Sequence, residues 1–215
     1  MLSSGGCLGS FLAVMEFEIF QFEPGFQVEV DPEFPGDGEW DCPVISFDRG
    51  GAVASDPETR WGSPLVVGIE PASSPAWVAT FAAGGVGYLR GLFATPSPSI
   101  LLSVVDGLAY FVDVERPGQA ATIAGNQIHQ VAACEDPALV LLVGFTDIVA
   151  IGPQGIAWAT PRLCVDDLRV ETVSSTTITC SCDNPGRTTI ALDPHTGHQI
   201  EGTRLDSFWP PDALA

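Results

Sequence analysis

Residues 168–202 read LRVETVSSTTITCSCDNPGRTTIALDPHTGHQIEG. Short runs rich in Val, Ile and Thr alternate there with polar turn residues. Four such runs, at 168–173, 177–183, 188–193 and 198–202, are separated by SST, NPGR and PHTG. Runs of this length and composition, bounded by Ser, Asn, Pro and Gly, are typical of strands joined by short turns. The segment therefore predicts four consecutive antiparallel strands.

The segment before it has the same plan, with four apolar runs at 129–135, 138–145, 147–152 and 156–160. Residues 146–163 align without a gap over residues 188–205. The alignment carries five identities, which are Thr146/Thr188, Ile148/Ile190, Gly155/Gly197, Arg162/Arg204 and Leu163/Leu205. Because the shared Arg-Leu pair lies beyond the turn itself, the match predicts an internal repeat. Four antiparallel strands in about 40 residues is the size of one propeller blade.

Five segments of the chain share one layout, in which an apolar run, a polar turn ending in glycine and a second apolar run follow one another. The closing glycines are Gly51, Gly85, Gly118, Gly155 and Gly197, at spacings of 34, 33, 37 and 42 residues. Glycine suits the end of such a turn because it adopts a positive φ at low cost. The spacing predicts about five similar units.

The segment IALDPHTGHQIEG (190–202) resembles the third-strand, turn and fourth-strand element of quinoprotein-like and WD40-like β-propeller repeats. Those repeats read apolar, apolar, Asp, x, x, Thr-Gly, and here Asp193, Thr196 and Gly197 match that pattern. YFVDVERPG (110–118) is similar through Asp113 and Gly118. The resemblance covers the C-terminal half and implies a propeller-like fold. Since the tryptophan that ends each quinoprotein blade is absent, it implies no quinone cofactor, and no other cofactor is predicted.

We therefore expect an all-β protein of repeated antiparallel hairpins, in a small β-propeller-like assembly of about five units. A β-sandwich is the alternative, and an open stack of sheets remains possible because the first spacings are short for a four-stranded blade. No window of 12 residues shows a helical apolar stripe. We expect a loose N-terminal extension at 1–14, with Met15 as a possible true start, a single repeat domain at 15–205 and a tail at 206–215. Residues 16–40 read as one acidic hairpin turning at Pro24-Gly25.

The charge is strongly one-sided, with 27 acidic residues against eight arginines, no lysine and a net charge of −19. Nucleic-acid binding and docking on anionic lipid both need basic residues, so neither is expected. No apolar run reaches the roughly 18 residues of a membrane-spanning helix, and the N-terminus lacks the basic region of a signal peptide. We expect a cytoplasmic protein whose six scattered cysteines are thiols. A basic protein is the partner that this charge favours.

One cluster has the residue types of a metal site. His195, His198 and Asp193 lie in DPHTGHQ, and Cys180 and Cys182 belong to the same predicted sheet. Histidine, carboxylate and thiolate are ligands for divalent transition metals. The alternative is that Asp193 accepts a hydrogen bond within its own turn, while both histidines face solvent and both cysteines fill the core.

No catalytic residue is predicted. The sequence has no G-x-S-x-G motif, and the acidic residues Glu135 and Asp136 after Cys134 would oppose formation of a thiolate. His129 opens a strand and is expected to be structural. The abundant carboxylates show no spacing that singles out a catalytic pair.

Partner contacts are predicted at aromatic and acidic residues in the connections. Trp61 and Trp77 lie in Pro/Gly/Ser-rich stretches, while Asp113, Glu115 and Asp193 lie in predicted turns. The favoured function is a non-enzymatic interaction or scaffold protein for a basic partner. The alternatives are an immunity or inhibitor protein against a basic toxin or nuclease, and a propeller-type hydrolase or lyase with a carboxylate or metal site.

Overall fold

The computed structural model describes residues 16–205, except 37, 56–61, 86–88 and 126. Every regular element within these residues is a strand, which confirms the all-β prediction. The strands are β1 Phe17–Glu18, β2 Phe26–Val30, β3 Val44–Phe47, β4 Val53–Ala54, β5 Leu65–Pro71, β6 Trp77–Phe81, β7 Gly91–Ala94, β8 Ile100–Val105, β9 Leu108–Asp113, β10 Thr122–Gly125, β11 Gln130–Cys134, β12 Leu139–Val143, β13 Ile148–Gly152, β14 Gly155–Ala159, β15 Asp166–Val173, β16 Ile178–Asp183, β17 Arg187–Leu192 and β18 Gln199–Glu201.

The strands form four sheets, named here in chain order. The first sheet has the order β2-β5-β6-β3-β4, the second β1-β7-β8-β9-β10, the third β11-β12-β13-β14 and the fourth β15-β16-β17-β18. The third and fourth sheets are antiparallel meanders, and the second contains the same meander with β1 added parallel to β7. Consecutive four-stranded meanders of this kind are propeller-like.

Four sheets stand where the glycine spacing predicts about five units. Gly51, Gly118 and Gly197 lie in connections within a sheet and Gly155 begins β14, whereas Gly85 lies between β6 of the first sheet and β7 of the second. Gly85 has a φ of 101°, so its conformation is that of a turn glycine. A glycine with a positive φ therefore also occurs where the chain passes from one sheet to the next. The spacing of the glycines alone does not distinguish a turn within a sheet from a link between sheets.

The prediction of a hairpin at residues 16–40 is wrong. β1 pairs in parallel with β7 of the second sheet, whereas β2 pairs antiparallel with β5 of the first. The Phe17 and Phe26 rings lie 5.7 Å apart, and both belong to the apolar cluster between these two sheets. The segment thus crosses from one sheet to the next because its aromatic residues are buried between sheets.

Three buried clusters hold the four sheets together, and each joins sheets that follow one another in the chain. The alternation along β8 shows how this works, since Leu101 packs towards the first sheet and Leu102 towards the third. Both middle sheets are covered on two faces, and all five residues of β12 are accordingly buried. Among the described residues, no such cluster joins the first sheet to the fourth.

The fourth sheet is the last of the four, and its face directed away from the third sheet is polar. Cys180 and Cys182 point into the cluster with the third sheet, and Ser181 between them points away. The Ser181 hydroxyl accepts a hydrogen bond from Arg187 at 2.6 Å, and Arg187 also pairs with Asp167 at 2.6 Å. The hydrogen bond from Arg187 lowers the pKa of Asp167.

Candidate functional site

The connections between the last two strands of the second and fourth sheets each contact the sheet before them. In the second sheet, the backbone N–H of Ala121 donates to the carbonyl of Gly51 in the preceding sheet at 2.8 Å. In the fourth, the ring nitrogen of Trp158, which belongs to the third sheet, donates to the carbonyl of Pro194 at 2.8 Å. Each connection thus rests on the sheet before it.

The connections of the second and third sheets border one pocket of about 400 Å³. Asp113 and Arg116 lie on one side of it, and the turn at 152–155 lies on the other. The Arg116 Nη2 and Asp113 Oδ2 atoms are 2.5 Å apart, so this pair fixes the shape of its connection. The structure therefore places Asp113, which the sequence predicts as a partner contact, beside the turn of the third sheet.

Glu115 extends this surface towards the first sheet. Its carboxylate accepts a hydrogen bond from Ser73, which lies between β5 and β6, and this bond lowers the pKa of Glu115. The side chain is half-buried. Glu115 is therefore a held, ionised carboxylate at neutral pH.

The turn at 193–198 has the local hydrogen bonds and exposed histidines that the sequence offers as the alternative to a metal site. Asp193 Oδ1 accepts the backbone N–H of His195 at 2.7 Å, and the Asp193 carbonyl accepts that of Gly197 at 2.8 Å. His195 and His198 are both exposed. Within the described part of the chain, no three His, Cys, Asp or Glu side chains form a group that could hold a metal ion. The predicted site at Asp193, His195 and His198 thus gains no support from the geometry.

The two predicted aromatic contacts have different outcomes. Trp77 is 1% exposed, and its ring nitrogen donates to the Val114 carbonyl at 3.1 Å. This burial between the first two sheets leaves no ring surface for a partner, which corrects the prediction of a surface role. Trp61 lies outside the described residues.

The buried thiols are poor nucleophiles. Burial raises the pKa of Cys164 and of Cys180 to about 12, and it also raises the pKa of Cys134. A thiol of this kind holds almost no thiolate at neutral pH. Cys180 and Cys182 are fully buried, as the alternative of core packing predicts.

His129 has a structural role, in agreement with the sequence. Its ring stacks on Phe145 with the ring centres 4.9 Å apart, and its Nε2 lies 3.2 Å from the Gly144 carbonyl oxygen. These contacts fix the connection between β12 and β13.

A second pocket, of about 430 Å³, lies between the chain that links the third sheet to the fourth and the last residues of the fourth. Arg162 and Arg204 both line it. Both arginines belong to the repeated Arg-Leu pair, and that repeat is the sequence signal that points to this pocket.

The architecture is that of an all-β protein with four consecutive sheets, three of which contain a propeller-like four-stranded meander. No protein-family model and no curated protein matches the chain. Among solved structures, it is similar to the N-terminal domain of Nup159 with a TM-score of 0.38 and 12% sequence identity, over 91% of this chain. The aligned part is 55% of the Nup159 domain, so this chain spans about half its length. No helix in the described ranges is long and apolar enough to cross a membrane.

Alanine at Gly197 is expected to weaken the contact between the third and fourth sheets. The φ of Gly197 is +69°, and an added Cβ would lie 2.5 Å from Cε3 of Trp158. We expect a loss of about 2–4 kcal/mol in the free energy of unfolding, from left-handed strain and overpacking together.

Gly155→Ala is the matched control for this change, measured by denaturant unfolding. Gly155 also has a positive φ, +107°, but nothing lies within 4 Å of its added Cβ. It should therefore lose only the backbone part, about 1–2 kcal/mol. Equal losses for both variants would mean that the Trp158 contact contributes nothing.

Proposed function

We propose that this protein is a non-enzymatic interaction module whose connection surface binds a basic partner. The surface consists of the connections at 113–118, 152–155 and 193–197. The observation that supports the proposal is that Asp113 and the turn at 152–155 line one pocket, with Glu115 in the same connection as Asp113.

The electrostatics support a basic partner. With a net charge of −19, the protein attracts cations from a distance and repels anions. Such steering chiefly raises the rate of association and falls with salt. Held carboxylates lose less side-chain entropy on binding than mobile ones, and both Glu115 and Asp193 are held by hydrogen bonds.

The test measures binding of poly-L-lysine as a basic probe, at low and high salt, to two variants of equal charge. The first is Glu115→Gln with Asp193→Asn, where both amides keep an oxygen that accepts the existing hydrogen bond. The second, as control, is Glu33→Gln with Asp41→Asn, two exposed acids in the connection between β2 and β3. Each double variant has a net charge of −17, from −19 plus two.

We expect the first variant to weaken binding at low salt several-fold more than the control does, and the difference to shrink at high salt. That result would locate recognition on the connection surface. If both variants weaken binding equally, the probe senses only total charge, and the proposal is wrong.

A further inference from the structure

The two repeated Arg-Leu pairs converge in one place. Arg162-Leu163 follows the last strand of the third sheet, and Arg204-Leu205 follows the last strand of the fourth. All four residues line the pocket of about 430 Å³, and Leu163 and Leu205 are 4% and 6% exposed. The repeat thus supplies two apolar side chains to the pocket floor and two guanidinium groups beside them.

The pocket is unusually basic for this chain. Arg162 and Arg204 are two of the eight arginines of the chain, and the His198 ring lines the pocket beside them. None of the described residues that line it is acidic. A concentration of positive charge in a protein of net charge −19 therefore occurs at a site with an apolar floor.

Arg162 is held in place without losing its charge. Its Nε donates to the Cys164 carbonyl at 2.9 Å and its Nη2 to the Val165 carbonyl at 2.9 Å. By contrast, Arg90, Arg116, Arg169 and Arg187 all pair with carboxylates. Within the described residues, Arg162 has no carboxylate partner, and two backbone carbonyls fix its guanidinium group.

We propose that this pocket binds a small organic carboxylate, with its apolar body on Leu163 and Leu205 and its carboxylate at Arg162, beside His198. Ligand pockets are typically 300–1,000 Å³ and mostly apolar, with a few polar groups that orient the ligand. Arginine donates to a carboxylate in a paired, charge-assisted geometry. This pocket adjoins the proposed basic-partner surface at Gly197 but takes a ligand of the opposite charge.

The experiment is an NMR titration of the whole chain with three probes at constant ionic strength, followed through the amide signals of residues around the pocket. Sodium benzoate has both an apolar body and a carboxylate, benzamide has only the body, and sodium phosphate has only the charge. We expect saturable binding of benzoate, at least about tenfold tighter than that of either other probe. Benzamide or phosphate binding as tightly as benzoate would overturn the proposal, as would the absence of saturable benzoate binding.

Variants locate the binding. Arg162→Gln and His198→Gln should each weaken benzoate binding, Arg162→Gln by about tenfold or more. Arg169→Gln removes the same charge from a different part of the fourth sheet and should leave benzoate binding unchanged. His198 is exposed and its side chain makes no hydrogen bond among the described residues, so His198→Gln remains informative if Arg162→Gln fails to fold. Arg169→Gln weakening benzoate binding as much as either pocket variant would overturn the site.

Discussion

Alanine in place of Gly51 is expected to lower the free energy of unfolding by about 2–5 kcal/mol. Gly51 has a φ of +80°, a conformation that costs an L-residue about 1–2 kcal/mol. An added Cβ would also overlap the carbonyl oxygen of Ala121 in the second sheet. Because this neighbour is backbone, and Ala121 donates its N–H to the Gly51 carbonyl, relief would require the two sheets to separate.

Gly118→Ala is the comparison for this variant, at a turn glycine without a positive φ. Gly118 closes the corresponding connection of the second sheet, is exposed, and has nothing within 4 Å of an added Cβ. We expect its effect to remain within about 0.5 kcal/mol. Urea unfolding followed by tryptophan fluorescence would measure both changes. Gly118 has neither the positive φ nor the close neighbour, so a Gly51→Ala variant as stable as Gly118→Ala would contradict both the backbone strain at Gly51 and its contact with Ala121.

Truncation of Trp77 to alanine is expected to cost about 3–5 kcal/mol in the free energy of unfolding. The ring packs against Phe47, with the ring centres 6.5 Å apart, in the cluster between the first and second sheets. Its removal would leave a cavity and take away the hydrogen bond to the Val114 carbonyl.

Trp40→Ala serves as the comparison, measured by chemical unfolding under identical conditions. Trp40 is only half-buried and contacts the exposed ring of Phe34, with the ring centres 5.4 Å apart. We expect a much smaller loss there, because less apolar surface returns to water. If Trp77→Ala instead preserves stability and abolishes binding of the basic probe, the surface role predicted from the sequence would be restored.

The candidate site was predictable in its parts and not in its arrangement. The turn at Asp193 and the buried Cys180/Cys182 pair follow from local chemistry, and the structure has both. Neither the packing of Trp158 on Gly197 nor the shared position of Arg162 and Arg204 can be derived in that way. Both depend on how the fourth sheet lies on the third, which involves residues about 40 positions apart.

The amino-acid sequence by itself determined the strands and turns of the third and fourth sheets. The predicted run at 188–193, for example, differs by one residue at each end from Arg187–Leu192. Side-chain alternation and turn chemistry act over a few residues, so they are readable locally. Only the tertiary structure decided that β1 and β2 enter different sheets, that Gly85 joins sheets and that Trp77 is buried. These outcomes depend on which apolar faces exclude water together, and distant segments of the chain share that choice.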